Sequence, residues 1–288
     1  MPPSASGKIE RIPDFRSKYV TARNIDVWLP ENYSPGKKYA VLYMHDGQML
    51  FDATTTWNKQ EWGVDETMSR LLKEDKIREA IVVGIWNSGS NRPSDYFPQK
   101  PFESLPEAFR DSLLQATNKE DAFFPVPVQS DSYLRFIVEE LKPYIDSKYA
   151  TKTDRDNTFI AGSSMGGLIS LYAICEYPEV FGGAACLSTH WTGTFTDKNN
   201  PIPNAFMQYL ERNLPQPSTH KLYFDYGTET LDALYEPYQL QADAIMRRKG
   251  YTSQNWKTVK FTGADHSEKA WQKRLHIPLT FLLGPTRN

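Results

Sequence analysis

The sequence predicts an α/β fold with a mostly parallel sheet, and two observations carry that expectation. Short β-rich runs alternate with helical patterns along the chain, the order that covers a parallel sheet on both faces. At 288 residues, 40% hydrophobic and 24% charged, the chain can also bury one large core. We therefore expect a single domain over residues 1–288. The β-runs are residues 25–29, 40–45, 80–85, 158–161, 183–188, 221–226 and 256–261. Between them, Leu134, Ile137, Val138, Leu141 and Ile145 share a helical stripe that Pro143 should kink or restart. A further helix is expected over about 231–249, stopping at Gly250.

The segment 86–130 breaks this rhythm with a density of Pro, Ser and aromatic residues. A stretch of that length within a compact domain reads as a lid-like insertion over the carboxyl edge of the sheet. One short helix is expected in it, near 106–115.

Composition excludes several roles. A net charge of -2 with no long run of Lys or Arg gives nothing to track a phosphate backbone, so no nucleic-acid partner is expected. Cys175 and Cys186 are the only cysteines, too few for a disulfide scaffold and not at metal-ligand spacing. Both read as small core residues, and no metal or organic cofactor is implied. The amino terminus lacks the basic start and apolar stretch of a secretion signal. The expectation is a soluble protein with no signal peptide in this chain, cytoplasmic, or secreted or periplasmic if a leader was removed.

Residues 159–175, FIAGSSMGGLISLYAIC, carry no charge. A membrane helix should be apolar nearly throughout over about 20 residues, whereas this run begins with Gly162, Ser163, Ser164, Gly166 and Gly167. No membrane partner is expected. The stretch instead reads as strand, tight turn and helix, the setting that a G-x-S-x-G nucleophile elbow requires. Its glycines allow a turn in which flanking side chains would collide and the serine backbone is strained. Such a five-residue pattern arises by chance in about one chain in ten of this length, so its placement between a β-run and a helix carries the reading. Ser164 is the candidate nucleophile, and the Met165 amide points where an oxyanion would form.

A serine hydroxyl needs a base, and the base a carboxylate. In α/β-hydrolase folds the chain order is Ser, acid, His. His266, just past the last β-run, meets that order, whereas His276 reads as packing and His220 as a turn residue. After the run 221–226, Asp225, Glu229 and Asp232 compete as the acid. Asp225 sits inside the strand, so Asp232 is the first choice and Glu229 the alternative; either can instead cap the following helix. A second oxyanion donor is expected after 40–45, where Gly47 permits close backbone approach and the Gln48 amide follows. The alternative is that Asp46-Gly47 is a plain turn.

These residues resemble the Putative esterase family of α/β-hydrolases, which includes feruloyl and acetyl xylan esterases, siderophore esterases and mycolyltransferases. The likeness runs from about Ile25 to the end and is most specific in LPENYSPGKKYAVLYMHDGQMLFD, FIAGSSMGGLISLYA and GADHSEKAW. It implies an α/β-hydrolase fold, Ser164 as nucleophile, His266 as base, and Gln48 and Met165 as oxyanion-hole residues. Many relatives carry an aspartate three residues after the glycine ending the penultimate strand, and here Thr230 stands there. The acid is then Asp232 or Glu229, or the pair works as a Ser–His dyad.

The function expected is a serine esterase acting through an acyl-serine intermediate on a small-molecule or carbohydrate ester, of carbohydrate-linked, feruloyl or siderophore type. An acyltransferase of the same family and a catalytically silent carbohydrate-binding module are the alternatives. Trp57, Trp62, Trp86, Tyr96, Phe97 and Trp191 fall in loops expected at the carboxyl edge, with Arg92 and His190 beside them. Aromatic faces suit a sugar ring or aromatic acyl group, and Arg92 suits a catecholate or carboxylate. Arg92, Tyr96, His190 and Trp191 are the substrate-binding candidates.

Overall fold

Alternation within the strands sets the layers. In β3 (Ala40–His45), Val41 and Tyr43 face one apolar cluster while Ala40, Leu42 and Met44 face another; β4 (Ala80–Ile85) divides in the same way. A strand buried on both faces belongs to the interior of a sheet covered twice. The structure, a computed structural model, describes residues 4–115 and 123–285. Its sheet has eight strands in the order β1-β2-β4-β3-β5-β6-β7-β8. The remaining strands are β1 (Lys8–Phe15), β2 (Arg23–Leu29), β5 (Thr158–Ser163), β6 (Gly183–Leu187), β7 (Lys221–Gly227) and β8 (Trp256–Phe261). From β4 to β8 every pairing is parallel, whereas β1 and β2 run antiparallel to their neighbours.

The expected α/β class is therefore observed, and the expected β-runs match β2 to β8 to within two residues at each end. β1 was not expected. Its sequence KIERIPDF is half polar and contains Pro13, which only an edge strand tolerates, and its register slips between Ile12 and Phe15.

The helices follow in order: α1 (Val64–Lys73), α2 (Arg92–Tyr96), α3 (Gln99–Glu103), α4 (Glu107–Gln115), α5 (Ser130–Arg135), α6 (Lys142–Lys148), α7 (Met165–Glu176), α8 (Ile202–Asn213), α9 (Glu236–Arg248), α10 (Glu268–Arg274) and α11 (His276–Leu283). A π-helical stretch, Phe136–Leu141, joins α5 to α6. Pro143 restarts the helix as expected, since α6 begins at Lys142 with the proline in its first turn. The wider π turn just before it spares the clash a proline ring makes with the carbonyl four residues back. α9 begins later than expected, after a tight turn over Thr230–Leu234, because Pro237 suits the first helical turn. α7 is buried all round except at Glu176, so the charge-free stretch fills a core. Among the described residues no helix is long and apolar enough to cross a membrane.

Segment 86–130 contains α2, α3 and α4, with residues 116–122 outside the described residues. It is more than a cover: Tyr96, Phe97, Phe102 and Phe124 are buried in the larger apolar cluster. The helix expected at 106–115 is α4. His276 is exposed at the start of α11 and does not pack as expected, whereas His220 is buried with Nε2 2.7 Å from the Pro178 carbonyl.

The parallel register aligns the carboxyl ends of the strands, pairing His45 with Ile85, Ser163 with Leu187, Leu187 with Asp225 and Gly227 with Phe261. The loops after β3 to β8 consequently leave from one edge, the usual place for a site in an open α/β sheet.

Candidate active site

Ser164 joins β5 to α7 with φ 58 and ψ -122, a backbone conformation that costs a non-glycine residue on the order of 1–3 kcal/mol. Its neighbours hold it there. Ser164 N donates to Leu187 O at 2.9 Å, and Ser164 O accepts from the amides of Gly167, Leu168 and His190 at 3.0, 3.2 and 3.2 Å. The flanking glycines differ in importance. A Cβ on Gly162 would stand 2.7 Å from the Gly166 carbonyl group, an overlap that demands glycine, whereas one on Gly166 would make ordinary contacts at 3.5 Å.

On the β7–β8 side, His266 Nδ1 lies 2.5 Å from Asp232 Oδ1. The His266 amide donates to Thr230 Oγ1 at 2.9 Å, and Thr230 takes φ 54 to receive it. The ring packs edge-on against Trp271 at 5.0 Å and Tyr235 at 5.9 Å between centroids. A carboxylate at Nδ1 takes that N–H and leaves the Nε2 lone pair for the cleft. Asp232 is fully buried, and its Oδ2 accepts from Gly227 N at 2.5 Å and Ser188 Oγ at 2.6 Å. Ser188 Oγ in turn accepts from Trp271 Nε1 at 2.9 Å and Arg274 Nη2 at 2.8 Å. Between Asp232 and Glu229, the structure thus brings Asp232 to His266; Glu229 is exposed, with its amide on Ala264 O. Asp225 serves elsewhere, paired with Arg274 at 2.8 Å. Burial pushes its carboxyl up to about 6 against the pull of Arg274.

The loop after β3 is built by close approach. Asp46 has φ 56, and a Cβ on Gly47 would fall 2.6 Å from the Gly84 backbone. Gln48 Oε1 accepts from the Asn87 amide at 3.1 Å. Among the described residues, neither the Gln48 nor the Met165 amide donates to another backbone group. Asp46 is more than a turn residue. Its carboxylate accepts two parallel bonds from Arg92, at 2.7 and 2.8 Å, and one from Asn87 Nδ2 at 2.8 Å. Burial would raise the Asp46 carboxyl, but the Arg92 charge and these bonds outweigh it and hold the carboxyl below its usual range.

Ser164 and His266 border one open cleft of about 710 Å³, together with Gln48, Arg92, Trp57 and Trp271. Among the described residues no hydrogen bond joins the Ser164 and His266 side chains, a looseness common before substrate binds. Trp57, 84% exposed, forms a rim. Of the expected substrate contacts, Arg92 reaches the cleft but spends its fork on Asp46. Tyr96 and Trp191 do not reach it: both are buried, Tyr96 Oη accepting from the Asp46 amide at 3.3 Å and Trp191 Nε1 donating to Gln239 at 2.9 Å. Their apolar bodies gain more from the core than from a wet edge. His190 is also buried, with Nδ1 2.7 Å from Tyr235 Oη. Phe97 is core, and Trp86 donates to Asp26 at 2.8 Å away from the cleft. Ser188, Arg274 and Tyr235 were not anticipated. Of these, only Ser188 carried a signal, its position at the end of a central β-run. Among the described residues no group of His, Cys, Asp and Glu is arranged to hold a metal ion.

Arg92→Met is expected to cost about 3 kcal/mol of stability, since it strips the fork from a buried carboxylate. It should also lower kcat/KM roughly 10-fold, by loosening the loop that carries Gln48. Denaturant titration and steady-state rates check both; an unchanged unfolding midpoint would contradict the first.

A family profile described as "Putative esterase" matches residues 18–281. The Bacillus subtilis "Uncharacterized protein YjcH" is 24% identical over 177 residues, 62% of this chain and 60% of that protein. The ferri-bacillibactin esterase BesA of the same organism is 25% identical over 197 residues, 64% of this chain and 62% of BesA. The chain thus spans about three fifths of the length of these two curated relatives. Among solved structures, the CE1 ferulic acid esterase of Anaeromyces mucronatus, in complex with ferulic acid, superposes with a TM-score of 0.65 at 19% identity. That superposition covers 96% of this chain and 92% of the esterase, and it shows a shared fold. With the profile matching nearly its whole length, the chain belongs to the Putative esterase family and carries the family's α/β-hydrolase fold.

Proposed function

We propose that this protein hydrolyses a carboxylic ester through an acyl-serine intermediate, with Ser164 as nucleophile, His266 as general base and acid, and Asp232 as the orienting carboxylate. Ser164 Oγ attacks the ester carbonyl while its proton passes to His266 Nε2. The carbonyl oxygen becomes an oxyanion facing the amides of Gln48 and Met165. Collapse breaks the bond to the leaving alcohol, which takes the proton from His266. Water then repeats the sequence and releases the acid. The observation that carries this reading is the 2.5 Å contact between Asp232 and His266, in the cleft that also holds the strained Ser164.

Family membership supports the ester bond, and the names of BesA and the ferulic acid esterase suggest esters of catecholate or phenolic acids. The Trp57 rim and the cleft amides of Asn58, Gln60 and Asn87 suit a flat or hydroxyl-rich substrate. The test is kcat/KM on four esters: acetylated xylo-oligosaccharide, a feruloyl sugar, a catecholate trilactone and an aryl acetate. We expect a preference of at least about 10²-fold for one natural ester over the aryl acetate, the scale that fitted polar contacts reach. Turnover of none, with retained binding of a sugar or phenol, would overturn the proposal.

A further inference from the structure

The charges that line the cleft do not cancel. Among the described residues, the charged side chains bordering it are Asp46, Arg92 and Glu268. Asp46 and Arg92 neutralise each other through the two parallel bonds at 2.7 and 2.8 Å. Glu268 Oε2 accepts from Asn58 Nδ2 at 2.8 Å, a neutral donor, and no Lys or Arg among the described residues pairs with it. The cleft that holds Ser164 and His266 is therefore left with one uncompensated carboxylate. Cations do gather nearby, but in a separate opening that shares only Gln60 and Ser267 with the cleft. There Lys260 is held by Glu236 at 2.7 Å and Arg274 by Asp225 at 2.8 Å. Lys269 and Lys273 are exposed, so water and salt screen their charge from the cleft.

Position decides which part of a substrate meets this charge. Glu268 stands two residues after His266, at the start of α10, and Asn58 ties it to the loop carrying Trp57. The ester carbonyl oxygen must face the Gln48 and Met165 amides, whereas the leaving oxygen must be reached by His266 Nε2, which protonates it. The leaving alcohol thus lies on the His266 side of the cleft, the side that Glu268 borders. An acidic residue in a first turn also favours its helix, but that role needs neither a place in the cleft nor a bond to Asn58.

We propose that Glu268 is a specificity-determining residue that selects esters by the charge of the leaving alcohol, accepting uncharged alcohols and rejecting those that carry a carboxylate or another anionic group. The inference rests on the ester-hydrolase reading above and narrows its substrate class. An anionic alcohol would meet the half-buried Glu268 carboxylate with no opposite charge to offset it. That repulsion acts on bound substrate and transition state alike, so it appears in kcat/KM. A neutral alcohol rich in hydroxyls fares oppositely, since its O–H groups can donate charge-assisted bonds to the carboxylate. Arg92 does not recruit an anion in compensation, because Asp46 already fills its fork.

The test uses two esters of one shape, 3-acetoxybenzamide and 3-acetoxybenzoate, whose leaving phenols differ in charge; each rate is divided by that ester's rate in hydroxide alone. Wild type should favour the benzamide by about 30-fold in kcat/KM, the scale of one like-charge contact at a partly buried site. Raising the salt from about 0.02 M to about 0.5 M should shrink that preference several-fold. Glu268→Gln keeps an oxygen for Asn58 Nδ2 but removes the charge, so the preference should fall to within about threefold as the benzoate ester speeds up. Glu268→Lys should turn the preference toward the benzoate. A residue that merely held the Trp57 loop would leave the ratio unmoved in Glu268→Gln. Equal wild-type rates on the two esters, or an unchanged ratio in Glu268→Gln, would overturn the role of Glu268 if Ser164→Ala is silent. Turnover by Ser164→Ala would instead overturn the acyl-serine reading, and this inference with it.

Discussion

Ser164→Ala is expected to lower kcat by about 10⁶-fold on any ester the protein turns over, the scale seen when a serine nucleophile is removed. Alanine keeps the Cβ, so the backbone at φ 58 is no more strained than before. The bonds that hold the turn all use the Ser164 backbone, through its N on Leu187 and its O on Gly167, Leu168 and His190. Stability should therefore change by less than about 1 kcal/mol, and the variant should unfold at the wild-type temperature. The oxyanion amides remain, so a residual rate of about 10³ over water is expected. The decisive reading is the acyl-enzyme: wild type incubated with a slow aryl ester should gain the acyl mass on the peptide containing Ser164, and the variant should gain none. Undiminished turnover by the variant would remove Ser164 from the mechanism.

What could be read from the sequence follows from how local each signal is. β3, β4 and β8 were legible to the residue: the apolar run of β3 stops at Asp46, that of β4 starts after Glu79, and β8 is rich in aromatic and β-branched residues between Asn255 and Gly263. β1 was not, since an edge strand buries little and its pattern competes with a polar tail. Ser164 and His266 could be named from motif and chain order alone. The acid could not, because Asp225, Glu229 and Asp232 follow one another closely around the end of β7 and only the folded loop sends Asp232 to His266. Tyr235 and Arg274 carry no sequence signal of the parts they take, Tyr235 packing against His266 and Arg274 bonding Ser188 and Asp225. Their roles arise where α10 meets the loops after β6 and β7, a coincidence in space that no spacing rule encodes. The aromatic rim was over-read for the converse reason. Tyr96, Phe97 and Trp191 do sit in edge loops, but large side chains gain most by turning inward.

Asp232→Asn should lower kcat by about 10⁴-fold with little change in KM, and the hydrogen bonds around the carboxylate explain why the isosteric change is so damaging. The Oδ2 position is fixed by two donors, Gly227 N–H at 2.5 Å and Ser188 O–H at 2.6 Å. An asparagine must place its carbonyl oxygen there, since an NH₂ group would meet both donors head on. Its NH₂ is then forced toward His266 Nδ1, where the aspartate accepted at 2.5 Å. Facing a donor, the imidazole must present its Nδ1 lone pair and move its proton to Nε2. That tautomer points an N–H at Ser164 and cannot take the serine proton. Ser188, braced by Trp271 and Arg274, leaves the substituted amide no room to rotate out of this trap. Glu229→Gln, in contrast, changes an exposed side chain and should leave kcat within about twofold of wild type. Steady-state rates for the two variants side by side decide the matter: a large loss at Glu229 with little at Asp232 would transfer the role, and little loss at either would make the site a Ser–His dyad.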